Sequence, residues 1–146
     1  MTTVAQILGT KADRTVHTIA PTASVYEAVK VMADRNVGAL VVVEHGQVVG
    51  IVSERDYARK VVLLARSSQD TPLSEIMSSP VMYVRPEQTS DDCMALMTEN
   101  RLRHLPVMQG DRLVGLVSIG DLVKATISEQ QFIIEQLEHY ISGQRD

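Results

Sequence analysis

The chain has 146 residues, 45% hydrophobic and 22% charged, with a formal net charge of −4. That is enough apolar material for a domain-sized core. It excludes a disordered acidic chain and lacks the basic excess of a nucleic-acid binder. Five aromatics (Tyr26, Tyr57, Tyr83, Phe132 and Tyr140) and no Trp leave no stacking platform for single strands, and the one cysteine, Cys93, has no internal disulfide partner. The start Met1–Leu8 does not read as a secretory signal, and the longest apolar runs, Ala39–Val43 and Val61–Ala65, are far too short for a membrane span. A soluble cytoplasmic protein without nucleic-acid or membrane partners is expected.

In chain order, Val4–Leu8 is a short helical lead-in and His17–Ile19 a short strand. Ser24 with Glu27 is a capping box opening a helix that carries Ala28, Val29, Val31, Met32 and Ala33. Val-rich Ala39–Glu44 and Gln47–Val52 flank His45-Gly46 as an antiparallel hairpin, and a second helix follows Ser53. The order then recurs: a lead-in at Leu73–Met77, a helix opened by Thr89 and Asp92, strands Leu105–Met108 and Arg112–Val117 around Gln109-Gly110-Asp111, and a helix after Ser118.

A constant shift of 65 places Thr18–Lys60 over Tyr83–Ala125 without a gap. It pairs Pro21 with Pro86, Met32 with Met97, Leu40 with Leu105, Val42 with Val107, Val49 with Val114, Gly50 with Gly115, Val52 with Val117, Ser53 with Ser118 and Asp56 with Asp121. The first copy carries four extra residues, Lys-Ala-Asp-Arg or their neighbours, before its strand. The expected fold is α+β: two tandem β-α-β-β-α repeats, residues 3–69 and 70–127, packed about a pseudo-twofold axis, with a C-terminal amphipathic helix and tail at 128–146. Such a junction creates two related clefts where ligands preferentially bind.

The chemistry concentrates in Gly50-Ile-Val-Ser53-Glu-Arg-Asp56 and Gly115-Leu-Val-Ser118-Ile-Gly120-Asp121, each where a strand passes into a helix. One reading is purely structural: Ser as N-cap, with Asp at N3 closing a capping box. The other uses the same atoms for a ligand, since a helix N-terminus attracts an anion and a carboxylate accepts both hydroxyls of a ribose. Spacing alone does not separate them.

The duplicated pattern, the two Gly-h-h-Ser-x-x-Asp endings (h apolar) and Arg101-Leu-Arg-His-Leu-Pro-Val107 together resemble a tandem pair of CBS domains, a Bateman module. Ser53–Lys60 followed by Arg66-Ser67-Ser68 resembles the small stand-alone bacterial members. The resemblance implies an adenosyl ligand, with AMP the leading candidate and NAD(H) or ATP the alternatives. It implies that Asp56 and Asp121 hold a ribose and that Ser53 and Ser118 lie near phosphate, with Gly120 of the second ending among the ligand-binding residues. For the cleft of Asp121 it implies adenine contacts from the backbone of Thr15, Val16, His17 and Thr18 and of Val37, Gly38 and Ala39. For that of Asp56 it implies Val81, Met82 and Tyr83 with Leu102, Arg103 and His104. Arg103-His104 is similar to a phosphate-contacting basic pair of the family, whereas copy one has Gly38-Ala39 there and supplies Arg55, Arg59 and Lys60 instead. Unequal occupancy of the two clefts is therefore expected, by two nucleotides or by one dinucleotide and one mononucleotide.

The four His residues have no ligand spacing for zinc, Cys93 falls on an apolar helical position, and no nucleophile elbow or phosphate loop is present. Met32, Met94 and Met97 read as core filler, and His45 as a turn residue. Ser128–Ser142 carries an apolar stripe of Ile133, Ile134, Leu137, Tyr140 and Ile141, which suits an intersubunit contact better than the chain's own core; the helices bearing Val29, Met32, Met94 and Met97 are expected to add to it. The reading is a non-catalytic regulatory module, homodimeric, acting on a separate effector protein. A dimerisation scaffold with vestigial clefts and a nucleotide hydrolase are its rivals.

Overall fold

The computed structural model describes residues 2–142. The elements are α1 (Val4–Thr10), β1 (Thr18–Ile19), α2 (Val25–Arg35), β2 (Ala39–Glu44), β3 (Gln47–Ser53), α3 (Glu54–Tyr57), α4 (Ser90–Asn100), β4 (His104–Gln109), β5 (Arg112–Ser118) and α5 (Ile119–Ser142). A π-helical turn, Ala58–Val62, extends α3, and a 3-10 turn covers Leu73–Glu75. The result is a mixed helix and sheet fold with two small sheets and a C-terminal helix, as the repeat pattern predicts. The tail beyond Ser142 lies outside the described residues.

The chain forms two compact units, Thr15–Met82 and a second made of the segment up to Arg14 with the chain from Tyr83 onward. In the first, β1 pairs parallel with β2, and β2 pairs antiparallel with β3. His45 and Gly46 both have positive φ (52° and 77°), the requirement of a two-residue I′ hairpin loop, so His45 is the turn residue expected. In the second unit, β4 and β5 repeat the hairpin around Gly110, whose φ is 61°. Its expected first strand shrinks to one parallel bridge, Val84 to Val107.

The two cores match at five positions of the 65-residue shift, Ala28 with Cys93, Met32 with Met97, Leu40 with Leu105, Val42 with Val107 and Val52 with Val117. Val25, Ala28, Met32, Leu40, Val42, Val52 and Val61 are buried with Leu73 and Ile76 in one. Cys93, Met97, Leu105, Val107, Val117, Leu122 and Val84 are buried with Val4 and Ile7 in the other. Each core therefore takes its lead-in from the opposite repeat: α1 packs on the second repeat, and Leu73–Met77 on the first. Glycine makes both contacts close. A Cβ on Gly115 would lie 2.7 Å from a Leu8 methyl, and one on Gly50 would meet the Met77 side chain. Backbone bonds from Val4 N–H to Gln88 O (2.7 Å) and from Ala5 N–H to Pro86 O (2.9 Å) fasten α1.

Several expectations change. Met32 and Met97 are core residues, as read, so they add nothing to an exposed surface; Met94 points out and is 39% exposed. Thr89 and Asp92 form the full capping box, whereas Ser24 makes only the half that accepts from Glu27 N–H, its segment being bridged to Pro72 instead. Cys93 is buried, and desolvation, with the Asp92 charge behind it, pushes its thiol up to about 11, so it is a packing residue and not a nucleophile. The stripe of 128–142 does not pack on the chain's own core: α5 runs unbroken from Ile119, and Ile133, Ile134, Leu137, Tyr140 and Ile141 are all exposed. No described helix is long and apolar enough to cross a membrane.

Candidate functional site

Both Ser-x-x-Asp endings form capping boxes. Ser53 Oγ accepts from Asp56 N–H (3.3 Å), and Asp56 Oδ2 accepts from Ser53 N–H (2.9 Å). Ser118 and Asp121 repeat this at 3.2 and 2.9 Å. Each junction is closed from behind by the residue entering the preceding strand: Gly38 O accepts from Glu54 N–H (3.1 Å), and Arg103 O from Ile119 N–H (2.9 Å). The structural reading of these motifs is therefore correct, and it fixes each carboxylate at a helix N-terminus. This does not use up the carboxylates.

Each carboxylate faces a lysine. Lys60 Nζ lies 3.1 Å from Asp56 Oδ1 and donates to Ile76 O at 2.9 Å. The repeat places Ala125 opposite Lys60, so the second unit has no lysine at that helical position. Lys11 fills the role from the end of α1, 3.1 Å from Asp121 Oδ2 and donating to Leu116 O at 2.8 Å. Asp121 Oδ1 accepts no hydrogen bond among the described residues.

Burial would raise the Asp121 pKa, but the bonds from the Ser118 N–H and the Lys11 ammonium outweigh it and hold the carboxyl below its ordinary value. Burial lowers His104, with Lys11 and Arg103 acting the same way and Asp121 opposing them. His104 is therefore the neutral neighbour of the site near pH 7. A depressed carboxyl contributes stability that is fully present above its unfolded pKa and lost as pH falls through the folded value. Asp121→Asn should accordingly melt below the parent at neutral pH, with the difference closing below about pH 4. Thermal melts across that range check this, and a gap that persists undiminished in acid would contradict it.

A cleft of about 770 Å³ opens beside Asp121, between α1 and α5. Thr10, Lys11, Asp13, Lys124 and Ser128 supply polar walls, and Ile7, Ala125 and Phe132 apolar ones. Its lining carries three carboxylates, Asp13, Asp121 and Glu129, and two ammonium groups, Lys11 and Lys124, within reach of a helix N-terminus, which suits a polyhydroxylated ligand with an apolar portion and a localised anionic group.

In the unit Thr15–Met82, the structure joins Gly38 and Ala39 to Ser53, Asp56 and Lys60 through the β2–β3 register, in which Ala39 faces Ser53. Thr15, Val16 and His17 lead into β1, which Thr18 opens, and His17 O accepts from Val41 N–H (3.2 Å). Val37 packs on the core, Arg55 is half-buried, and Arg59 is exposed. Val81 and Met82 close this unit. In the other unit, His104 faces Ser118, which gathers Arg103 and His104 beside Ser118, Gly120 and Asp121; Leu102 packs on the core, and Tyr83 is 48% exposed. Lys11 and Lys124 stand outside both Ser-x-x-Asp endings, and no motif in the sequence marks them. The one pointer to Lys11 is the four-residue excess before the first strand. Among the described residues there is no cluster of three metal-ligating side chains.

A family model for the CBS domain matches residues 4–63 and 73–128. The fold superposes with a TM-score of 0.85 and 57% identity on a CBS-domain protein from Burkholderia ambifaria MC40-6 described as acting in signal transduction, covering 88% of this chain and 96% of that one. The CBS domain-containing protein CBSX3, mitochondrial, of Arabidopsis thaliana is 44% identical over 125 residues; the match takes in 82% of this chain but 61% of the relative, less than two thirds of its length. The CBS domain pair of protein MJ0100, solved with 5′-methylthioadenosine and S-adenosylmethionine, matches at a TM-score of 0.76 and 26% identity, covering 88% of this chain and 98% of that one.

Proposed function

The chain belongs to the CBS-domain family, as a tandem pair of its domains, and on that footing we propose that it is a regulatory sensor of an adenosyl ligand that signals by a ligand-dependent change of conformation. The observation that carries this is the pair of capped carboxylates, Asp56 and Asp121, each held at a helix N-terminus beside a lysine. A ribose hydroxyl donates to Asp121 Oδ1 without disturbing the capping box, while phosphate lies toward Ser118, Lys11, Lys124 and the Arg103-His104 pair. The adenosyl ligands of the MJ0100 pair support the class. Among adenine nucleotides AMP comes first, with NAD(H) and ATP as alternatives.

The mechanism requires no bond-making step. A second ribose hydroxyl reaching for Oδ2 competes with Lys11, which anchors the end of α1 to β5. Ligand binding is thereby coupled to the placement of α1, and the ligand shifts the population between tied and released forms. The module acts in the cytoplasm as a homodimer on a separate effector protein and catalyses nothing. Native mass spectrometry of the purified protein should find an adenosyl ligand retained or restored on incubation. A chain that neither retains nor takes up any such ligand would instead be a dimerisation scaffold.

A further inference from the structure

From the outer face of α5, we infer that two copies of this chain associate through an antiparallel pairing of their α5 helices; this deepens the homodimer reading above. The helix has two opposite faces. Asp121, Lys124, Ala125, Ser128, Glu129 and Phe132 line the cleft toward α1, and Leu122 enters the core. Half a turn away run Val123, Ile127, Gln130, Ile134, Leu137 and Ile141, alternating steps of four and three residues. That is an a/d seam. Its apolar members are 48–81% exposed, along ~27 Å of helix.

The seam complements itself in only one direction. In an antiparallel pair, Val123 lies across from Ile141 of the second copy, Ile127 from Leu137, and Gln130 from Ile134. The flanking e positions are Lys124, Gln131 and Glu138. Around the same twofold axis, Lys124 meets Glu138 of the second copy twice over, and Gln131 meets its own equivalent. On the other flank Ile133 meets Ile133. A parallel pair would set Ile133 against Glu138 and leave Lys124 without its acid. Antiparallel helix dipoles also attract. An anionic membrane is a poor alternative occupant, because the polar side of this helix carries Glu129, Glu135 and Glu138.

Sedimentation equilibrium of the full chain, with circular dichroism to confirm folding, tests this. The parent should be a dimer at tens of micromolar, and Ile134→Glu with Leu137→Glu, both at exposed positions, should give a folded monomer. Lys124→Glu should weaken the dimer about tenfold, since it converts two attractive contacts into repulsive ones, and Lys124→Glu with Glu138→Lys should restore it. A parent that is monomeric overturns both the pairing and the homodimer. A dimer that survives Ile134→Glu/Leu137→Glu, or a reversed pair that is not restored, overturns the α5 pairing and places the dimer contact elsewhere.

Discussion

Ile7→Ala is expected to loosen the unit that contains β4 and β5, not the repeat to which Ile7 belongs in the sequence. Ile7 is 2% exposed among Val84, Cys93, Met97, Leu105 and Leu122. Truncating a buried Ile to Ala removes transfer free energy and leaves a cavity, together about 2–5 kcal/mol. Hydrogen exchange should therefore show protection falling furthest at the amides of β4 and β5, with β2 and β3 holding theirs. The reciprocal change, Ile76→Ala, should loosen β2 and β3, because Ile76 sits in the core with Leu40, Val42 and Val52. Protection lost mainly from β2 and β3 in Ile7→Ala would contradict the exchange of lead-ins.

Asp121→Ala and Asp56→Ala should each weaken a separate binding event by about ten- to a hundredfold, the range for removing a charged acceptor worth roughly 1.5–3 kcal/mol. Each aspartate also closes a capping box as its N3 partner, so each substitution lowers stability as well. Titrations well below the melting temperature separate the two effects. The Lys11 contact gives the Asp121 variant its own signature: without the carboxylate, the Lys11 ammonium keeps only Leu116 O, and the end of α1 loses an anchor. Folded variants that titrate with AMP, ATP and NAD(H) like the parent would contradict the assignment of ribose to these residues.

Much of the fold was legible because it was written twice. The shift of 65 predicts that Leu40 and Leu105, Val42 and Val107, Val52 and Val117, and Met32 and Met97 share environments, and all eight are buried at matching places in the two cores. The hairpins and capping boxes were legible because turn and cap chemistry is local. What escaped was long-range. The apolar spacing of Val4 and Ile7 shows that α1 buries a face, but not which repeat it covers, since both repeats offer the same glycine on the strand that receives it.

Lys11 escaped because it reaches Asp121 across 110 residues, in the position that Lys60 fills for Asp56 from one turn away. Met94 departs from the core-filler expectation because a helix with Cys93 and Met97 on its buried face leaves position 94 outside. The continuity of α5 was hidden by reading the repeat and the stripe as separate segments. Between Lys124 and Ser128, the residues Ala125, Thr126 and Ile127 offer no helix-stopping Gly or Pro.

Calorimetric titration of nucleotide-stripped protein with a matched panel of AMP, ATP, NAD(H) and S-adenosylmethionine against guanosine counterparts decides whether the capped carboxylates form an adenosyl sensor. At least one adenosyl compound should bind saturably, with its guanosine counterpart binding poorly and Asp121→Ala reducing the affinity. Equal heats from adenosine and guanosine ligands, or no saturable binding by any adenosyl compound, would contradict it.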